Sequence, residues 1–96
     1  MNISFYRGDD HEVKFRFKNF EGKFDDIIFA VKNLDERVII EKHLGKGIEP
    51  IDEWFHVCIK PEDTSWISFT ERMTYDVRAI IQGLEFTVQR GNFKIK

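Results

Sequence analysis

From Glu12 to Lys18 the chain alternates without a fault, charged at even positions and apolar at odd ones: Glu12-Val13-Lys14-Phe15-Arg16-Phe17-Lys18. A helix, with its longer period, would smear this pattern around its surface. A strand sorts it, with Val13, Phe15 and Phe17 on one face and the charges on the other. One apolar and one charged face is the signature of an antiparallel sheet with water on one side.

The period of two recurs along the chain. Asp26–Lys32 places Ile27, Phe29 and Val31 inward, and Glu53–Lys60 does the same with Phe55, Val57 and Ile59. Arg37–His43 reads as a strand whose Val38-Ile39-Ile40 is apolar on both faces, so its inward side stays open. Arg72–Gln82 is the longest, with Met73, Tyr75, Val77, Ala79 and Ile81 on one face. Glu85–Arg90 and Phe93–Lys96 close the chain on either side of Gly91-Asn92. Turns are expected at Asn19-Phe20-Glu21-Gly22, Asn33-Leu34-Asp35-Glu36 and Gly83-Leu84. Gly45 and Gly47 loosen the chain, and Pro50 bars a central strand pairing at its position. Only Pro61-Glu62-Asp63-Thr64-Ser65 reads as helical: proline fits a first turn and acidic residues suit its positive end. The β-prone Trp66-Ile67-Ser68-Phe69-Thr70 limits it to one turn.

Ninety-six residues make one domain, 1–96. About seven or eight short strands at regular spacing predict an all-β fold, an immunoglobulin-like antiparallel β-sandwich. The ten Phe fit two facing sheets: Phe15, Phe17, Phe29 and Phe55 fall on inward positions, and Phe86 and Phe93 are expected there in the closing pair. Tyr75, near the start of a long strand after a corner, either ties back across that corner or is buried in the core with its hydroxyl at the edge.

Charge and composition narrow the function. Fifteen Lys and Arg against 17 Asp and Glu give a net charge of −2, which argues against a nucleic-acid partner. No apolar run approaches the roughly 20 residues of a membrane helix. The single Cys58 cannot form an internal disulfide, and Met1 to Arg7 lack the pattern of a signal peptide, so cytoplasmic synthesis is expected. An enzyme is not expected. Ser65 and Ser68 lie in no nucleophile elbow, there is no glycine-rich phosphate loop, and Asp9-Asp10, Asp25-Asp26 and Glu62-Asp63 sit where turns favour Asp. His56 and Cys58 share a face as two metal ligands would, but only His11 and His43 remain as further soft donors, without zinc-site spacing, so no metal and no cofactor is expected. Arg7-Gly8-Asp9 spells an adhesion tripeptide, a match common by chance; Gly8 reads as a bend.

The outward face is more informative. If Phe55, Val57 and Ile59 point in, Trp54 and Cys58 point out, and so do Ile28, Ala30 and Ile80 on their strands. A contiguous set of such residues would form an interface for self-association or docking.

Taken in order, several short elements carry a resemblance. Tyr6-Arg7-Gly8-Asp9 precedes the alternating strand, and Gly22 and Asp25-Asp26 lead into Ile27-Ile28-Phe29-Ala30-Val31-Lys32. Lys60-Pro61-Glu62-Asp63-Thr64, Tyr75-Asp76-Val77 and Thr87-Val88-Gln89-Arg90-Gly91-Asn92-Phe93-Lys94-Ile95 follow. Together they resemble the small β-sandwich modules of phage and prophage virions, such as the N-terminal domain of baseplate upper proteins. Gln82-Gly83-Leu84-Glu85 departs from that pattern, lacking an Asp-Gly turn. The resemblance implies a non-enzymatic structural role in a tail or baseplate, often oligomeric and without cofactor. The partners would be other phage structural proteins or a second copy, after incorporation into the virion. A different class of function is a carbohydrate- or small-ligand-binding module that stacks its ligand on exposed Trp54 or Trp66.

Overall fold

The computed structural model describes residues 3–6, 8, 10–16, 24–52, 54–65, 67 and 73–95. Expectations for Arg7, Asp9, Phe17, the Gly22 turn, Glu53, Trp66 and Ser68 lie outside these residues. The fold is all-β. Among the described residues there are eight strands and one helical turn: β1 (Ile3–Phe5), β2 (His11–Phe15), β3 (Asp26–Lys32), β4 (Val38–Leu44), β5 (Gly47–Ile51), β6 (Trp54–Ile59), α1 (Pro61–Thr64), β7 (Met73–Ile81) and β8 (Leu84–Ile95).

Where alternation is strict, the expected inward residues are the buried ones: Val13 and Phe15 on β2, Ile27, Phe29 and Val31 on β3, Val57 and Ile59 on β6, and Met73, Tyr75, Val77 and Ala79 on β7. On β4 the open choice falls to Ile40, which lies opposite Val31 and is buried.

The sequence predicts two facing sheets, but hydrogen bonding is continuous, in the order β1-β8-β7-β3-β4-β5-β6-β2. The sheet nevertheless curls. Laid flat, four strand spacings of about 4.8 Å would hold β2 roughly 19 Å from β3. Instead the rings of Phe15 on β2 and Phe29 on β3 have centroids 6.0 Å apart, and Phe15 lies 6.5 Å from Tyr75 on β7. The arm β5-β6-β2 therefore folds over the arm β8-β7-β3-β4, giving a half-barrel whose inner faces share one core.

The hinge between the arms is the step from β4 to β5. These strands run parallel and share only the rungs His43–Gly47 and Leu44–Ile48. Parallel neighbours ordinarily need a long crossover; here the chain sidesteps and continues in the same direction. Lys46 N–H donates to the His43 carbonyl at 2.8 Å and Gly45 N–H to the Ile48 carbonyl at 2.8 Å. Gly47 makes the step possible. Its φ is +97°, and a Cβ there would stand 2.6 Å from Cδ of Lys42. The Lys42 stem passes beside Gly47 on its way to an ion pair with Asp63 of α1, Nζ to Oδ2 2.8 Å.

Pro50 bars central pairing as expected: a strand forms at Gly47–Ile51, but Pro50 falls beyond the last rung shared with β4 and, among the described residues, pairs with Phe55 of β6 alone. One strand expectation changes: Gly91-Asn92 does not divide the last strand. Gly91 lies opposite Tyr75 and Asn92 opposite Thr74, so the ladder to β7 runs through them. The irregularity comes earlier, where Val88 is the extra residue between Gln89, opposite Val77, and Thr87, opposite Arg78.

Candidate interaction surface

Because the inner faces meet, the outer faces of the two arms look away from each other. Each outer wall has its own chemistry.

On the wall of β5, β6 and β2, alternation sends Trp54, His56 and Cys58 outward as expected. Trp54 pairs across the ladder with Ile51, and the two are 41% and 45% exposed. His56 lies between Glu49 and Lys14, and Cys58 opposite Glu12. Nδ1 of His56 is hydrogen-bonded to Oε1 of Glu12, which fastens β6 to β2 on the solvent side. Cys58 is half-buried beside this pair. His43 stands on the opposite arm, and among the described residues no three His, Cys, Asp or Glu are grouped to hold a metal ion.

On the wall of β8, β7, β3 and β4, the expected exposure fails at Ile28 and Ala30, both of which are buried. Their cross-strand neighbours are the reason. Ile28 lies between His43 and Arg78, and Ala30 between Glu41 and Asp76. Long polar side chains lie with their stems over apolar surface and their heads in water, and here the heads bind one another. Arg78 reaches Glu85 at 2.8 Å, and its Nε lies 3.2 Å from Asp76 Oδ1. Ile80 is half-buried on the same wall, opposite Asp26 and Glu85. The five outward apolar residues therefore form no single patch: Trp54 and Cys58 are on one wall, and Ile28, Ala30 and Ile80 on the other.

The second wall also holds a clamp that the sequence did not reveal. His43 Nδ1 binds Asp26 Oδ2 at 2.8 Å and its Nε2 binds Glu41 Oε1 at 3.0 Å. Asp26 Oδ1 accepts the amides of Ile27 at 2.8 Å and Leu44 at 3.2 Å, which locks the β3–β4 register. Partial burial by itself would raise the Asp26 pKa, but the hydrogen bonds from His43, Ile27 and Leu44 outweigh it and hold the carboxyl below its ordinary 3.8. His43 is raised above 6.5, first by its bond to Asp26, then, against the opposing effect of burial, by Glu41. At the other end of β3 from this clamp, an open groove of about 500 Å³ is lined by Lys32, Glu36, Thr74, Asp76, Arg90 and Asn92.

A third surface belongs to the β7–β8 hairpin. Its inward-facing residues Ile81, Leu84 and Phe86 lie outside the core cluster, with Ile81 half-buried and Phe86 41% exposed. Phe86 points inward, as expected, yet stays wet.

No family model matches the chain, and no curated protein does either.

The short elements that carry the resemblance meet in space. Gly8 N–H donates to Oγ1 of Thr64, 3.0 Å away and across 56 positions of sequence. Thr64 is fully buried, although it is the polar end of the Pro61–Thr64 turn. Asp63 of the same turn accepts the Lys60 amide at 2.8 Å and pairs with Lys42. Tyr75 lies opposite Gly91, stacks on Phe29 with centroids 5.7 Å apart, and accepts a hydrogen bond at 2.9 Å from the Gln89 amide.

Proposed function

We propose that the chain is a structural module of a phage or prophage virion, an immunoglobulin-like sandwich that works by protein–protein contact in a tail or baseplate. The observation that carries this reading is the Gly8–Thr64 hydrogen bond. It joins the Gly-Asp strand start to the Pro-Glu-Asp-Thr corner, so two elements shared with that family act as one structural device. The pairing of Tyr75 with Gly91 joins two more. The strand order adds support: a short first strand runs parallel to the last one, and the β5-β6-β2 arm packs across the β8-β7-β3 arm. These features support the immunoglobulin-like reading, with the two packed faces joined at β4–β5. Exposed apolar side chains at Trp54, Ile51, Leu84 and Phe86 supply contact surface of the kind such a role requires.

The ligand-binding alternative draws less support. Trp54 stands on a convex wall beside Ile51, and the 500 Å³ groove lies on the other arm. The test is binding of the purified protein to purified tail and baseplate proteins encoded beside its gene, followed by size exclusion and native mass spectrometry. A defined complex weakened by Trp54→Ala or Phe86→Ala is expected. Binding to none of them, or a glycan-array hit abolished by Trp54→Ala, would overturn the proposal.

A further inference from the structure

A sheet edge presents unpaired backbone groups to any other strand, and proteins ordinarily blunt such edges with short strands, bulges, proline or charge. Three of the open edges here carry such a device. β1 has only three residues, β8 has its irregularity at Val88, and β5 carries Pro50. β2 ends the sheet as a regular five-residue strand, paired on one side with β6 and, among the described residues, with no strand on the other.

What β2 does carry is a charge pattern with a direction. Its outward residues Glu12 and Lys14, with the exposed flanking residues Asp10 and Arg16, run acidic in the first half and basic in the second. Turned antiparallel to itself about Val13, the strand sets Glu12 against Lys14 of the other copy and Lys14 against its Glu12. Asp10 and Arg16 meet in the same way at the ends. Val13 then faces Val13 across the two-fold axis on the core side, flanked by His11 against Phe15, and on the solvent side each charge meets its opposite. Neighbouring registers fail. A shift by one residue sets core side against solvent side. A shift by two sets Glu12 against Glu12 or Lys14 against Lys14, and like charges directly opposite are destabilising.

We infer that β2 is a self-pairing edge, through which two copies join antiparallel into one continuous sheet, β6-β2-β2-β6, about a two-fold axis at Val13. Such an isologous contact repeats each favourable pair twice. This inference rests on the structural-module reading and names a second copy as one of that module's partners. Glu12 would then bridge His56 of its own chain and Lys14 of the other. An edge of this length makes a small interface, and the association belongs in the high-micromolar range.

The experiment is sedimentation velocity of the full chain up to sub-millimolar concentration, with circular dichroism to establish that each variant is folded. A reversible dimer is expected, weakened about tenfold or more by either Lys14→Glu or Glu12→Lys, since each replaces two attractive pairs with two repulsive ones. An equimolar mixture of the two variants restores every opposite-charge pair and should form a heterodimer at least as tight as the parent homodimer. A parent that stays monomeric, a dimer indifferent to Lys14→Glu, or folded variants that fail to associate when mixed would each overturn the inference. A monomer that still binds virion proteins would overturn self-pairing alone. A charge-dependent dimer that binds no virion protein would uphold self-pairing and overturn the module reading.

Discussion

The two arms of the half-barrel are held by different forces. In the β8-β7-β3-β4 arm, β7 is paired along its whole length with β8 from Met73 to Ile81, and with β3 from Asp26 to Lys32. Its outer wall is sealed by an ionic net over Ile28 and Ala30. The β5-β6-β2 arm joins the rest of the sheet through two rungs only. Its place is kept instead by side chains: Phe15 against Phe29 and Tyr75, Phe55 edge-on to Phe24 at 5.4 Å, and Lys42 reaching Asp63. Continuous hydrogen bonding, then, does not make a sheet mechanically uniform. One arm is a ladder-built scaffold, and the other is docked by its core.

The sharpest way to break this arrangement is Phe15→Ala. It removes the ring that bridges the arms without touching any rung of the scaffold. A loss of about 3–5 kcal/mol is expected in urea unfolding, with the signal of β2 and β6 lost before that of β7. Equal, simultaneous loss throughout would show the arms to be one unit.

Gly47→Ala tests the hinge. A side chain at φ +97° is strained, and its Cβ would displace Lys42 from the path to Asp63. We expect a cost of about 1–3 kcal/mol. Lys42→Met in that background should cost less than it does alone, because the ion pair is already disturbed.

The His43 clamp should show itself in the scaffold arm as a pH dependence. His43 has a raised pKa in the folded state, so its contribution is complete below its ordinary 6.5 and fades as pH rises through the folded value. Asp26 is depressed, so its contribution is complete above 3.8 and fades as pH falls through the lower folded value. The clamp is therefore strongest between these two limits. There His43→Asn should cost about 0.5–1 kcal/mol, a figure discounted for a pair open to solvent. The difference from the parent should shrink at alkaline pH. A pH-independent difference would mean that His43 acts by packing alone.

The smallest expected effect is a gain. Gln82 has φ +52° and Gly83 φ +78°, the backbone of a two-residue hairpin that favours Asn-Gly. Gln82→Asn should raise stability by about 0.5 kcal/mol, read as a small upward shift of Tm. The missing Asp-Gly is thus a departure in residue type, while the turn geometry is retained.

The strands whose inward faces are legible in the sequence are β2, β3, β6 and β7; β4 and β8 are visible as strands, but the inward side of β4 and the continuity of β8 are not. The inward residues of the first four follow from a period of two, which needs no knowledge of neighbours. β5 was hidden because a proline is forbidden only where both sides of a strand are paired, and which sides are paired is not a local property. The Gly91-Asn92 break was misread for the same reason, since the partners of those residues lie on β7. Ile28 and Ala30 look exposed by alternation alone, and only the cross-strand neighbours Arg78, Asp76, His43 and Glu41 show what covers them. The sandwich was half legible. Alternation requires an inner face, but whether two such faces belong to two sheets or to one curled sheet depends on a two-rung step at Gly45–Gly47. Of the candidate surface, Trp54 could be read directly. The charge symmetry of β2 was also in plain view, but its meaning depends on β2 ending the sheet.

Native-state hydrogen exchange across the two arms is the most direct test of the claim that one is scaffold and the other is docked and carries the contact edge. The amides of β7 and β3 should exchange only through global unfolding, while those of β2 and β5 open at a lower free energy and those of β2 gain protection as protein concentration rises. Equal opening free energies in both arms, with no dependence on concentration in β2, would contradict that claim.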